Sequence, residues 1–184
     1  MPTPVRTTLD EIVAAAARLL DAGGIAAVTM QAVAVEVGVR APSLYKRVRD
    51  RDALLALVGG DAARDLTSRL EAATDLDGQL HAFRSFGHAR PEAFRLLFAS
   101  VVDADTLAQT SAPVLRATTD IVGEGRALDA ARLLTAWATG FVTMELAGAF
   151  RLGGDLDEAY RYGCAHLVRS LVDGQDGERP AQGS

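Results

Sequence analysis

Apolar residues recur at intervals of three and four along almost the whole chain of 184 residues, and this spacing favours helices throughout. The first such stripe runs through Leu9, Ile12, Val13, Ala16 and Leu20. No segment alternates β-branched or aromatic residues with polar ones, so none favours a strand. The sequence therefore predicts an all-α protein with about nine helices.

Composition narrows the class of protein further. Hydrophobic residues make up 49% of the chain and charged residues 23%, which excludes a fully disordered or collagen-like chain. A single cysteine, Cys164, excludes an internal disulfide and any metal site built from several cysteines. The first residues lack the apolar core of a secretory signal, so we expect a cytoplasmic protein.

One segment, from Leu133 to Phe150, is apolar except for Glu145. A membrane span is one interpretation of it. The arginines at its two ends and the internal Glu145 favour instead a buried helix of a soluble protein, with no membrane partner. A helix that is apolar on all sides usually needs a second subunit to cover it, which points to a homodimer.

Two short helices separated by a glycine turn are predicted between residues 29 and 48. Thr29 is a suitable N-cap for the first of them. Gly38 can take the left-handed conformation that the turn needs, and Pro42 suits the first turn of the second helix. A helix, a tight turn and a second, outward-facing helix form a helix-turn-helix, which reads the major groove of DNA.

Charge supports this interpretation locally, although the whole chain has a net charge of −5. Five cations and one acid fall between Arg40 and Arg51, which is the electrostatic footprint of a nucleic-acid interface or else a solvated helix face. We expect Arg40 to contact a base edge, Ser43 a base or a phosphate, and Lys46 a phosphate. The residues predicted to lie against DNA are Thr29, Arg40, Ala41, Pro42, Ser43, Tyr45 and Lys46.

These residues carry a resemblance to a known family. The block VTMQAVAVEVGVRAPSLYKRVRDRDALLALV, with Thr29, Gly38, the run Ser43–Lys46 and the run Asp52–Leu55, resembles the DNA-binding domain of the tetracycline-repressor (TetR) family. Val48 stands where that family often has an aromatic residue. The stretch Trp137–Gly140 resembles a branch with a Trp-His-Gly signature, although Thr139 stands where the histidine is usual.

The resemblance implies a helix-turn-helix DNA-binding domain at residues 1–58 and a C-terminal ligand-binding and dimerisation domain at residues 74–172. A linking helix would span about residues 51–73. Separately, the Gly, Pro and polar composition of residues 173–184 predicts a disordered tail. The implied protein is a repressor that a small, largely apolar ligand releases from its operator.

The large side chains expected near that ligand, each of which core packing would also explain, are Phe83, Phe86, His88, Phe98, Trp137, Phe141 and Met144. The residues expected in a four-helix dimer interface are Ala136, Gly140, Met144, Gly148, Tyr160, Cys164, Leu167 and Leu171.

Enzymatic function has little support in the sequence. The only histidines are His81, His88 and His166. No paired carboxylate is evident that would complete a metal ligand set, and phosphate-binding loops are absent. We therefore predict a protein without catalytic residues, metal or cofactor. The remaining alternative is a helical dimer that binds small molecules or proteins but not DNA, and the cationic cluster argues against it.

Overall fold

The computed structural model describes residues 7–99 and 102–176, and within them every regular element is a helix, which confirms the all-α prediction. The helices in chain order are α1 (Leu9–Ala27), α2 (Met30–Glu36), α3 (Ala41–Leu44), α4 (Arg51–Ala72), α5 (Leu76–Ala89), α6 (Pro91–Leu97), α7 (Ala104–Val122), α8 (Glu124–Leu146) and α9 (Leu156–Asp176). They form two compact units, Met1–Asp65 with Arg90–Ala108, and Leu66–Ala89 with Gln109–Ser184.

The first unit is organised around α1. Thr8 and Glu11 form a capping box at its start, in which each side chain accepts a hydrogen bond from the backbone N–H of the other residue. Gly24 has φ 70° and ψ −173°, so it interrupts the helix, but the chain resumes helical geometry as far as Ala27. Although α6 comes after α5 in the chain, it packs on α1, so the compact units do not follow chain order.

The second unit packs α5 against α8 and α9. Tyr160 of α9 has no exposed surface, and its hydroxyl donates to the carbonyl of Leu80 at 2.7 Å. Trp137 stacks on Tyr160 with ring centroids 5.0 Å apart. A methyl group at Gly163 would lie 2.1 Å from the Trp137 ring, so only glycine lets α9 approach that ring.

Two helix boundaries differ from the sequence prediction, while α7 begins at Ala104 and continues through Pro113. The segment up to Phe150 is not one helix, because α8 ends at Leu146. The final helix reaches Asp176, past the predicted start of the tail at Asp173, and the rest of that tail (residues 177–184) lies outside the described residues.

No helix in the described part of the chain combines the length and apolar character that crossing a membrane would need. The reason is visible in α8, where Arg126, Asp129 and Arg132 precede the apolar stretch within the same helix. Leu133 is 49% exposed and Met144 46% exposed, so within one chain α8 is buried on one side only.

Candidate nucleic-acid interface

The turn between α2 and α3 is fixed by backbone hydrogen bonds. The Thr29 hydroxyl oxygen caps α2 by accepting from Ala32 N at 3.0 Å. At the other end, Gly38 N donates to Val35 O at 3.1 Å and Val39 N to Ala34 O at 2.9 Å. This pair of bonds is a Schellman motif, and Gly38 has the φ of 70° that the motif requires. The predicted left-handed conformation of Gly38 is confirmed.

Replacing Gly38 with alanine is therefore expected to lower the free energy of unfolding by about 1–2 kcal/mol, the cost of a left-handed conformation in a residue with a Cβ. The new methyl group would meet no atom within 4 Å, so backbone strain is the only cost. Urea unfolding of both proteins measures it. Gly60→Ala in α4 is the control. It is expected to raise the free energy of unfolding, because alanine is the better helix former there. Equal stability of Gly38→Ala and the parent chain would contradict the role of the turn.

The short helix α3 is held by buried residues on one side and exposes polar residues on the other. Leu44 and Val48 are 1% and 2% exposed and anchor the segment. Arg40, Pro42, Ser43 and Lys46 are exposed, Tyr45 is 55% exposed, and Ala41 is half-buried. Arg40 is the N-cap and its side chain makes no capping bond, while Ser43 N already donates to Arg40 O at 2.8 Å.

The cations between Arg40 and Arg51 divide into side chains that bind within the chain and side chains that face solvent. Arg51 donates to the carbonyls of Val28 at 2.7 Å and Ile25 at 2.5 Å, so it fastens α4 to the end of α1. Arg49 pairs with Asp50 at 2.6 Å. Within the described residues, the side chains of Arg40, Lys46 and Arg47 form no hydrogen bond or ion pair, so their charges face solvent.

Asp50 has a structural role at the start of α4. Its carboxylate accepts from Ala53 N at 2.8 Å, as an N-cap does, and also from Arg49. The backbone bond from Ala53, followed by the Arg49 bond, lowers the pKa of Asp50. Asp50, the single acid between Arg40 and Arg51, is thus hydrogen-bonded within the chain. The exposed side chains of this segment therefore carry a net positive charge.

A second polar arrangement lies in the other unit, around Arg84 of α5. Its guanidinium donates two bonds to the Glu145 carboxylate, at 2.5 and 2.9 Å, and approaches Asp157 at 2.7 Å. His88 Nε2 lies 2.9 Å from Oε2 of Glu145, the oxygen that also accepts from Arg84 Nε. The Glu145 side chain is 8% exposed, and the Arg84 bond lowers its pKa. Beside this network is an open cavity of about 330 Å³ lined by His81, Arg84, Ser85, His88 and Asp157.

Comparison with known families decides the identity of these parts. A family model described as "Bacterial regulatory proteins, tetR family" matches residues 12–58, and one described as "Tetracyclin repressor-like, C-terminal domain" matches residues 76–167. The chain belongs to the TetR family. Members of this family are DNA-binding regulators, typically repressors with ligand-binding C-terminal domains, so the prediction that the chain is not an enzyme is confirmed. The Trp-His-Gly branch stays a prediction.

Solved structures of TetR proteins share the fold. The transcriptional regulator SCO7222 from Streptomyces coelicolor is 15% identical, with a TM-score of 0.76 over 91% of this chain and 98% of its own. A TetR variant from Acinetobacter baumannii AYE, solved with minocycline, is 19% identical, with a TM-score of 0.72 over 92% and 99%. BioQ from Mycobacterium smegmatis is 22% identical, with a TM-score of 0.67 over 91% and 99%. A search of curated protein sequences gave no match.

The residues predicted to line a ligand pocket of this TetR protein do not form one group. Phe83 and Phe86 are core residues, 8% and 0% exposed. Trp137 and Phe141 are half-buried against Tyr160, while Met144 and His88 are exposed. Phe98 belongs to the other compact unit and packs on Phe94, and its assignment to a ligand pocket stays a prediction. Among these seven residues only His88 lines the polar cavity.

The predicted dimer residues of this TetR protein also separate into two groups. Ala136, Gly140 and Met144 form an exposed row on α8. Gly148 does not extend it, because its N–H bonds to Glu145 O and it has φ 62°, which makes it the terminating glycine of the helix.

Tyr160 and Cys164 have no exposed surface, so their predicted place in the interface is wrong. The apolar stripe of α9 points into its own subunit, where Tyr160 packs on residues of α5 and α8. Leu167 and Leu171 are half-buried, and their role in an interface stays a prediction.

Proposed function

We propose that this TetR-family chain is a cytoplasmic repressor that binds operator DNA as a homodimer and is released when a small molecule binds its C-terminal part. The observation that carries the proposal is the outward face of α3. Arg40, Ser43 and Lys46 are exposed there, next to a rigid turn, and their side chains have no bond within the described residues. Unpaired cations on the outward helix of a helix-turn-helix form the electrostatic footprint that a phosphate backbone would bind.

The side chains divide by the contacts that each is able to make. Arg40 has a planar guanidinium suited to two hydrogen bonds with a guanine edge in the major groove. Ser43 suits a base or a phosphate, while Tyr45 and Lys46 suit phosphates that fix the register on the duplex. The Thr29 oxygen accepts a capping bond, and its O–H can still donate to a phosphate. Ala41 and Pro42 bring the backbone close to the DNA.

A homodimer supplies the second reading helix. A helix-turn-helix protein reads two half-sites about 34 Å apart, which one copy of α3 cannot span. The exposed row on α8 supports this assembly, because its small residues let a second helix approach. Met144 is 46% exposed, so a partner helix would cover apolar surface there.

The effector proposal rests on the C-terminal unit. The cavity beside Arg84 is lined by charged and polar side chains, so a ligand bound there would carry polar groups. The minocycline complex of the Acinetobacter relative supports a small-molecule effector. Release requires that the ligand bind better to the DNA-free arrangement, and about 1.4 kcal/mol of that preference lowers operator affinity tenfold. Operator DNA must then lower ligand affinity by the same factor.

Selection of fragments from the source genome tests the DNA-binding proposal. The purified chain is mixed with sheared genomic DNA, retained fragments are sequenced, and one of them is footprinted. We expect one inverted repeat, with protection of two half-sites about one helical turn apart on one face of the duplex. Retention of no fragment at low salt would contradict the proposal and favour a helical dimer that does not bind DNA.

Arg40→Ala is expected to relax the sequence preference at one base pair of each half-site, at a cost of about 1–3 kcal/mol for the preferred base. Lys46→Ala is the matched contrast, because a lost phosphate contact weakens all sequences alike and lowers the salt slope by about one per contact. Both side chains are exposed and unpaired, so neither change should alter the fold. Competition binding with single-base variants of the operator separates the two effects. Identical base preferences in Arg40→Ala and the parent would contradict the base contact.

A further inference from the structure

Three side chains with metal-binding atoms lie close together in the second unit. Asp77 and His81 lie one helical turn apart on α5, and Cys164 faces them from α9. One carboxylate oxygen, one imidazole nitrogen and the sulfur all lie within 4.8 Å of one another. The sequence carries only half of this signal, because Asp77 precedes His81 by four residues while no local pattern brings Cys164 near them.

The separations are close to those of a zinc site. Donors at about 2.0–2.3 Å from a tetrahedral ion are roughly 3.5 Å apart. His81 Nε2 and Asp77 Oδ2 are 3.7 Å apart, which is too long for a hydrogen bond and close to the spacing across an ion. The Asp77 side chain is about half exposed, so it has room to rotate inward and close the remaining gap.

The surroundings hold two of the donors in place. Cys164 has no exposed surface, so its sulfur is held in the packed interior of the second unit. The His81 ring meets the Tyr160 ring edge-on at 5.6 Å, and Tyr160 lies one turn before Cys164 on α9. His81 also lines the cavity of about 330 Å³, so a fourth ligand can reach the position from solvent.

We propose that Asp77, His81 and Cys164 bind one Zn²⁺ per chain, with the fourth position open to water or a small ligand. A thiolate and an imidazole favour zinc over magnesium or calcium, which prefer oxygen donors. When the zinc–sulfur bond forms, the thiol proton passes to solvent and no group is oxidised or reduced. The bound ion joins α5 to α9, so it stabilises the folded chain by mass action. The proposal is independent of DNA binding.

Cobalt(II) is the probe, because it replaces zinc in such sites and its bond to a thiolate absorbs in the near ultraviolet. Metal-free chain without an affinity tag is titrated with Co²⁺, and Zn²⁺ or Mg²⁺ is then added. We expect one Co²⁺ per chain, a thiolate charge-transfer band, its loss on addition of Zn²⁺, and no change with Mg²⁺. Zn²⁺ should also raise the melting temperature.

Variants assign the donors. Cys164→Ser should abolish the band, and His81→Gln and Asp77→Asn should each weaken binding at least about 100-fold. His166→Gln and Asp173→Asn are matched controls on α9 that remove the same residue types elsewhere, and they should bind like the parent.

Circular dichroism checks that each variant folds. If Cys164→Ser does not fold, the Co²⁺ affinities of His81→Gln and Asp77→Asn test the site. Both replaced side chains are partly exposed, so these two variants should fold. Absence of the band in the parent chain would overturn the site. So would unchanged affinity in either of those two variants.

Discussion

Gly140→Arg is expected to convert the protein to a monomer and to lower its operator affinity about 10²–10⁴-fold, the gain that linking two binding modules typically provides. Gly140 lies in the exposed row of α8, where a second helix would approach closely. A methyl group there meets no atom within 4 Å of its own chain, so the arginine fits the monomer. Arginine is also the better helix former, so the fold should gain stability rather than lose it. Loss of assembly and loss of folding are thereby separated.

Thr135→Arg is the matched control for that experiment. It introduces the same side chain on the same helix at another exposed position, about 140° around the axis from Gly140. We expect it to remain a dimer with parental operator affinity. Light scattering after gel filtration gives the assembly state, and titration of labelled operator gives the affinity. A dimeric Gly140→Arg protein with parental affinity would show that this row of α8 is not the interface.

Glu145→Ala is expected to lower the free energy of unfolding by about 3 kcal/mol. Removing one member of a buried ion pair costs about 3–5 kcal/mol, and the low end applies because Arg84 is 13% exposed and keeps Asp157 as a partner. Urea unfolding measures the loss. Glu158→Ala, which removes an exposed carboxylate from the first turn of α9, is the control and should change stability far less. Equal losses in the two variants would contradict the importance of the Arg84–Glu145 pair.

The same pair predicts the sign of a pH effect. Arg84 lowers the pKa of Glu145 in the folded chain below its ordinary value of 4.5. The stabilisation is therefore fully present above pH 4.5 and is lost as the pH falls through the folded-state pKa. The parent chain should lose this increment on acidification, whereas Glu145→Ala lacks it at every pH. The stability difference between the two proteins should thus shrink in acid.

Local features of the helix-turn-helix could be predicted because they are encoded within a few residues. The Thr29 cap and the Gly38 turn each depend on backbone bonds to residues three to five positions away. The exposed face of α3 follows from Leu44 and Val48, which fix the buried side. Such signals survive in a single sequence, and they are sufficient to indicate the family.

Features that join distant segments could not be predicted in this way. The apolar stripe of α9 predicts which side of the helix is buried, but not which element covers it. Tyr160 packs against its own chain, where its hydroxyl donates to the Leu80 carbonyl. Arg84 and Glu145 are 61 positions apart, so neither sequence neighbourhood reveals the pair. Gly148 looked like the next small residue of a helical row, whereas two backbone bonds make it the end of the helix.

The salt dependence of operator binding tests the central claim that α3 presents its cations to DNA. We expect the binding constant to fall steeply as salt rises, by about 10³-fold or more between about 50 and 200 mM if the dimer contacts six phosphates. Lys46→Ala should reduce that slope and Gly140→Arg should lower the affinity at every salt concentration. Binding that does not change with salt, or no binding to the operator at low salt, would contradict the account.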